Sequence, residues 1–386
     1  MKGTRTIALL GGGQLGRMYM ENALRYAVRV DALDPDPQAP CAKLAHTFNV
    51  GDLHNEATVL AHARHADVVG IEIEHVSTNA LDALKRMGKR VIPDPDVLRT
   101  IQDKGLQKQF YVDHGIPTSP FALVASREEL TQHTALLPGF LKLRTGGYDG
   151  KGVMALDGPE AISSAFDGPC VIEAKADVAL ELAVIVVRND QGEQVTYDPV
   201  EMVFDPRFNL VDHLRAPSRI GGTVASEARQ LACRVADAFN APGIYAVELF
   251  LTKSGELLVN ETAPRAHNSG HHTIEACHSS QFDQLLRVHM GWPLGDTTLR
   301  SHAAMINLVG EDGTGVPHAT GMDEVLALPG TFPHLYGKVE TRTGRKMGHV
   351  TVLAGNDKDL DEAISTVKAH CHVVPEALNE RTPSNA

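Results

Sequence analysis

The chain is short of the residues that staple a fold, span a membrane or hold a polyanion. Its five cysteines, Cys41, Cys170, Cys233, Cys277 and Cys371, are widely separated and form no C-x-x-C pair. That spacing excludes a disulfide framework, gives no metal signature and fits a reducing cytoplasm. No apolar run approaches the ~18 residues of a membrane span. Lys2 and Arg5 ahead of the apolar stretch 7–10 imitate a secretory leader, but glycines follow at once with no small-residue cleavage site. A first strand is expected there instead. Basic residues are outnumbered, 36 Lys plus Arg against 48 Asp plus Glu, for a net charge of −12. Nucleic acid and an anionic membrane are therefore excluded as main partners, and any anionic ligand must be captured locally.

What is present is ordinary globular material, 43% hydrophobic and 22% charged, without repeats or low-complexity tracts. The 386 residues, at about 150 per domain, predict two or three domains. Residues 5–10 read as a strand, 11–16 as a glycine turn and 17–27 as a helix with Met18, Ala23 and Leu24 inward. Strands at 28–33, 67–73 and 90–92, with helices at 55–65 and 78–87, predict a parallel, doubly wound α/β sheet over 1–96. Pro and Asp alternate over 93–96, a boundary signal. One helix over 97–114 opens an α+β region running to 295, and 296–386 reads as short strands with a polar tail from Asn379.

Five constellations carry chemistry. Gly11, Gly13 and Gly16 satisfy G-x-G-x-x-G between strand and helix, with Asp34 closing the second strand, as in a nicotinamide dehydrogenase. The same turn also serves simply to pack a helix tightly on a sheet. A Ser254-Gly255 turn between two apolar runs reads as a two-residue hairpin, which sets Glu248 across from Glu261. Facing carboxylates repel unless a cation lies between them, and Mg²⁺ bridging to phosphates answers that need; a register slip of one residue, or both side chains facing water, is the alternative. The stretch from Lys142 and Arg144 through Gly146, Gly147, Tyr148, Asp149, Gly150, Lys151 and Gly152 is a strand followed by either an anion-binding type of loop, without Walker A spacing, or a flexible surface hairpin. Arg265, His267, Asn268 and His271 follow the second carboxylate directly. His267 and His271 lack the third ligand of a zinc site, and Arg265 offers a fork for a carboxylate-like group. Lys338, Arg342, Arg345 and Lys346 form either a solvated basic face or a monophosphate pocket.

These motifs together resemble the N5-carboxyaminoimidazole ribonucleotide synthetase family, ATP-grasp ligases of purine biosynthesis. The likeness runs from residue 7 to about 353 and rests on GGGQLGRM at 11–18, IEHV at 73–76, YDGKG at 148–152, NE at 260–261, APR at 263–265 and HNSGH at 267–271. The related formate-dependent glycinamide ribonucleotide transformylases would carry Asp-Thr-Gly in place of Asn268-Ser269-Gly270. The resemblance implies a Rossmann-like pre-ATP-grasp domain (1–96), an ATP-grasp domain (97–295, lid about 118–180) and a small β-rich C-terminal domain (296–386). It implies that Lys104 and Lys142 hold ATP phosphates, that Gly147, Tyr148, Asp149, Gly150, Lys151, Gly152 and Val153 close as a lid loop, and that Glu173, Ala174, Lys175 and Ala176 read adenine. Glu181 falls on the ribose, Phe204 and Asn260 line the nucleotide site, and Glu248 and Glu261 bind Mg²⁺, with Mn²⁺ as an alternative.

Arg265, His267 and Asn268 fall where bicarbonate and carboxyphosphate are handled. Gln14, Tyr148, Asp149, Lys338, Arg345 and Lys346 fall where aminoimidazole ribonucleotide sits, with Asp149 as proton acceptor. The sequence departs from the family in its Glu-Ala-Lys-Ala hinge, in Phe204 at a usual His position and in Ala266 for Pro. The resemblance also implies a cytoplasmic homodimer that passes its product to a separate mutase, which fungal relatives carry as an appended domain.

Overall fold

The computed structural model describes residues 5–147, 152–207 and 210–376. At the N-terminus five strands form a wholly parallel sheet in the order Thr47–Val50, Arg29–Asp34, Thr6–Leu10, Val68–Ile71, Arg90–Ile92. The order reverses beside Thr6–Leu10, so the glycine turn and the loop after Ile71 share the crevice at the strands' C-terminal ends, where open α/β sheets bind ligands. Thr47–Val50 is an addition to the expected strands; its short, half-exposed edge pattern gave little periodicity. The first helix spans Gln14–Arg25 and buries Gly16, Met18, Tyr19, Met20 and Ala23. Leu24, expected inward, is 57% exposed.

The single helix expected over 97–114 is two, Pro95–Gln102 and Lys104–Asp113. Asp103 leaves helical backbone (φ −115°, ψ 109°) and its carboxylate accepts the Gly105 and Leu106 N–H groups as an N-cap. A four-stranded antiparallel sheet follows, in the order Phe121–Val124, Cys170–Ala174, Gly139–Leu143, Val153–Leu156. It stands over a second, nine-stranded antiparallel sheet that contains the Glu248 hairpin.

That larger sheet does not stop at residue 295. Leu210–Ala216 pairs with His302–Val309, which pairs with Lys346–Ala354 and through it with Thr331–Leu335. The helix Gln281–Met290 lies between this sheet and the N-terminal helix Gln14–Arg25. Phe282, Leu286, Met18, Tyr19 and Ile185 belong to one apolar cluster across that junction. Tyr19 and His289 share a 2.6 Å hydrogen bond, and the Tyr26 hydroxyl donates to Asp283 at 2.8 Å. Burial of this seam from both sides holds the crevice against the hairpin. Among the described residues, no helix is long and apolar enough to cross a membrane.

Candidate active site

The hairpin joins Gly243–Thr252 to Leu257–Ala263, and Glu248 faces Glu261. The turn is one residue longer than expected. Thr252 N–H donates to Glu256 O at 2.9 Å, closing a three-residue loop, so that Leu251 faces Leu257 and Leu249 faces Val259. The register then shifts between Leu249 and Glu248, with Asn260 as the extra residue of a bulge. The two irregularities cancel. Bulges re-aim side chains, and here Asn260 and Glu261 turn to the same cleft. Glu261 accepts from Lys104 Nζ at 3.0 Å, Asn260 Oδ1 accepts from Lys142 Nζ at 3.2 Å, and Asn260 Nδ2 donates to Glu248 at 3.4 Å.

The electrostatics follow from this spacing. Lys104, close against Glu261, holds that carboxyl well below the usual range. Glu248 is pushed up, by burial first and then by the charges of Glu261 and Glu181. Glu261 in turn raises Lys104. Two hard carboxylates with an amide oxygen beside them suit a divalent cation that takes its remaining ligands from phosphate and water. Among the described residues no group of three or more His, Cys, Asp or Glu forms an all-protein metal cage.

Lys104 is the first residue of its helix and is aimed by the cap beneath it. Arg144 donates through Nε and Nη2 to the two Asp103 oxygens at 2.8 and 2.6 Å, and its carbonyl accepts the Lys104 N–H. Lys142 lies 2.8 Å from Glu173, whose other oxygen is 2.8 Å from Lys108. Burial pushes Glu173 up, but the two lysines outweigh it and its carboxyl lies below the ordinary range. Lys108 escaped the sequence analysis, although it stands four residues after Lys104 on the same helix. The Glu173 side chain is thus spent on the two lysines.

Tyr148, Asp149, Gly150 and Lys151 lie outside the described residues. The ends of their loop come together: a Cβ on Gly152 would stand 3.3 Å from Gly147 Cα. Glu181 is next to Glu248 in the field, and its carboxyl is raised by burial. Phe204 packs on the apolar cluster of Met202, Leu214 and Met305.

The crevice of the N-terminal sheet is filled from within. Glu72 Oε1 accepts the Leu15 N–H at 3.1 Å, and a Cβ on Gly13 would lie 2.5 Å from that oxygen. Asp34 accepts the Gly12 and Asp36 N–H groups. A carboxylate therefore occupies the helix N-terminus where a dinucleotide would place its pyrophosphate, and the ribose-type Asp is used by its own turn. The dehydrogenase reading fails on this point. Nearby, Arg265 Nε lies 2.8 Å from Glu74 and Nη1 donates to Ala266 O, tying the central domain to the loop after Ile71. Gln14 opens the helix at the same crevice, half-buried.

His267 Nε2 lies 3.6 Å from Glu248, while Nδ1 meets the Ser269 hydroxyl at 2.9 Å and accepts the Ser269 N–H at 3.3 Å. A backbone amide can only donate, so the neutral ring carries its proton on Nε2, facing the carboxylates. Burial holds this ring at about 4, so neutral is its ordinary state. Asn268, expected in a catalytic role, exchanges two amide hydrogen bonds of 2.9 Å with Asn307, a tie to the C-terminal strand. Lys346 bears on both His267 and Glu248, and Lys338 donates to the Lys346 carbonyl at 2.7 Å. Arg345 donates to Glu340 O, and Arg342 is exposed. Part of the basic stretch thus reaches the site and part is solvated.

Family models match all three regions: a ribonucleotide synthetase preATP-grasp domain over 4–102, an ATP-grasp domain over 109–282 and a phosphoribosylaminoimidazole carboxylase C-terminal domain over 303–363. The N5-carboxyaminoimidazole ribonucleotide synthase of Brucella melitensis is 36% identical, covering 91% of this chain and 97% of that protein. The chain belongs to the N5-carboxyaminoimidazole ribonucleotide synthetase family. It is an ATP-grasp enzyme of the ligase class. The synthetase of Thermotoga maritima superposes with a TM-score of 0.90 at 38% identity, covering 97% of this chain and all (100%) of that one. The synthase of Aspergillus clavatus, solved with ADP and 5-aminoimidazole ribonucleotide, superposes at 0.86 with 31% identity, covering 96% and 100%. The chain spans about two thirds of the length of the phosphoribosylaminoimidazole carboxylases of Vigna aconitifolia and Saccharomyces cerevisiae that it also matches, 66% in each case.

Proposed function

We propose that this chain uses ATP and bicarbonate to carboxylate the exocyclic amine of 5-aminoimidazole ribonucleotide, releasing ADP and phosphate. The observation that carries the reading is the bulged hairpin, which sets Glu248, Asn260 and Glu261 against Lys104 and Lys142 in one cleft. The family membership supplies the substrates.

Lys104 and Lys142 neutralise phosphate oxygens, each already drawn to the cleft by a carboxylate or amide partner. Glu248 and Glu261 would hold Mg²⁺, which would supply charge neutralisation to the phosphates. The Ala174 and Lys175 N–H groups donate to the Pro120 and Pro138 carbonyls, so we assign adenine to the Lys175 carbonyl and the Ala176 N–H. A bicarbonate oxygen attacks the γ-phosphorus, the bond to ADP breaks, and carboxyphosphate results. Positioning and charge carry that step, as in phosphoryl transfer generally.

Arg265 and the His267 Nε2–H hold the carboxyl oxygens in this reading. Lys346, with Lys338 and Arg345, takes the ribonucleotide phosphate, and Gln14 borders the same crevice. The amine then attacks the carboxyl carbon, phosphate leaves and the amine proton passes to a base, for which Asp149 is the candidate. Closure of the lid loop keeps water from carboxyphosphate.

A coupled assay of ADP release, with each substrate omitted in turn, tests the reading. Full turnover requires bicarbonate and aminoimidazole ribonucleotide together; release that depends on formate and glycinamide ribonucleotide would contradict it.

A further inference from the structure

Gln281 opens the helix Gln281–Met290 and is fully buried, and its side-chain amide is engaged at the oxygen and through both N–H groups. Its Oε1 accepts the His267 N–H at 2.9 Å, and its Nε2 donates to the His267 carbonyl at 2.8 Å. A third bond joins Nε2 to His271 Nδ1 at 3.0 Å, and the Gln281 main-chain N–H donates to Thr273 Oγ1 at 2.9 Å. The side-chain amide cannot be turned around. The His267 N–H only donates and its carbonyl only accepts, so oxygen and nitrogen are fixed. Both Nε2 hydrogens are then assigned, and His271 must accept at Nδ1 and carry its proton on Nε2.

The surroundings are built around this clamp. A Cβ on Gly270 would fall 2.5 Å from Gln281 Oε1 and 2.3 Å from Ile185 Cδ1, so only glycine leaves the amide in place. Phe282, the next residue, lies in the apolar junction with the N-terminal domain.

We propose that Gln281 is a positioning residue of the carboxylation reaction: its amide grips His267 on both sides of the Cα and so fixes where the His267 Nε2–H points. It touches neither Lys104, Lys142 nor the carboxylate pair, so its effect falls on the carboxyl-handling half of the site rather than on nucleotide binding. The inference rests on the carboxylation reading above.

Gln281→Met keeps length and apolar volume but removes the clamp. The expected result is a fall in kcat of about 100-fold, the loss that a 1 Å misplacement produces, with the KM for ATP unchanged. Gln281→Glu is the second variant. As a carboxylate it faces the His267 carbonyl without a donor, whereas protonated it restores that donor. His267 and His271 are the ionisable groups that touch it. Its activity relative to wild type should therefore rise as pH is lowered from 8 to 6. Gly270→Ala, which displaces the amide without changing it, should reproduce the Gln281→Met phenotype.

Wild-type kcat in Gln281→Met, or an equal loss in the KM for ATP, overturns the proposal. If Gln281→Met does not fold, Gln281→Glu decides alone, and a pH-independent ratio to wild type overturns it. Failure of the wild-type enzyme to release ADP with bicarbonate and aminoimidazole ribonucleotide would instead sink the parent reading.

Discussion

Glu261 holds Lys104 at 3.0 Å, and in the proposed reading it also offers a hard oxygen to a cation. Glu261→Gln keeps the size and a hydrogen bond but removes the charge, and it should abolish turnover while circular dichroism and thermal melting stay near wild type. Unchanged activity would remove the metal assignment. Lys108 makes a contrasting case. It is 3% exposed and shares Glu173 with Lys142, so Lys108→Met leaves a buried carboxylate with one partner. Breaking such a pair costs about 3–5 kcal/mol, and a chemical denaturation curve should show a loss of that size; a loss below ~1 kcal/mol, the worth of an exposed pair, would contradict it.

At the scale of elements, the proposed phosphate role of Lys104 makes the cap of the helix Lys104–Asp113 a link between stability and nucleotide binding. Asp103→Ala removes the N-cap and the Arg144 fork together. A lost cap costs about 1 kcal/mol, and the KM for ATP should rise because Lys104 loses its aim; an unchanged KM would show that the cap is structural only. What could be read in advance followed from local pattern. Alternating apolar runs around Ser254 and Gly255 were enough to pair Glu248 with Glu261, although the longer turn and the Asn260 bulge that jointly restore this pairing leave no mark in periodicity. The parallel N-terminal sheet was legible for the same reason. The break at Asp103 was not, because apolar spacing runs on through 97–114 and outweighs the local signal of an Asp whose carboxylate caps Gly105 and Leu106. Distance hid the Asn268–Asn307 amide exchange, Glu173 between its lysines and Gln281 on His267. The glycine turn misled until Glu72, from a different strand's loop, was seen filling its anion slot.

For the whole molecule, buried imidazoles set the acid limit. His271, His272, His289 and His349 are at most 2% exposed, and burial holds all four below the usual histidine range, His272 at about 4 and His289 at about 3. The folded rings stay neutral while the unfolded chain takes up protons below about pH 6.5. The unfolded state then binds more protons, so stability present above that pH is lost as pH falls. Each ring contributes up to about 1.4 kcal/mol per pH unit, and denaturant midpoints should drop steeply between pH 6.5 and 5; a flat profile would contradict the burial. The seam between the N-terminal domain and the large sheet should be the stabilising interface, since Phe282 is fully buried in it. Above all, the account claims that the carboxyl donor becomes attached to the γ-phosphoryl group before it reaches the amine. Turnover with bicarbonate labelled in all oxygens by ¹⁸O, followed by mass analysis of the released phosphate, tests this most directly. The account predicts one labelled oxygen in each phosphate; phosphate carrying oxygen from water alone would contradict it.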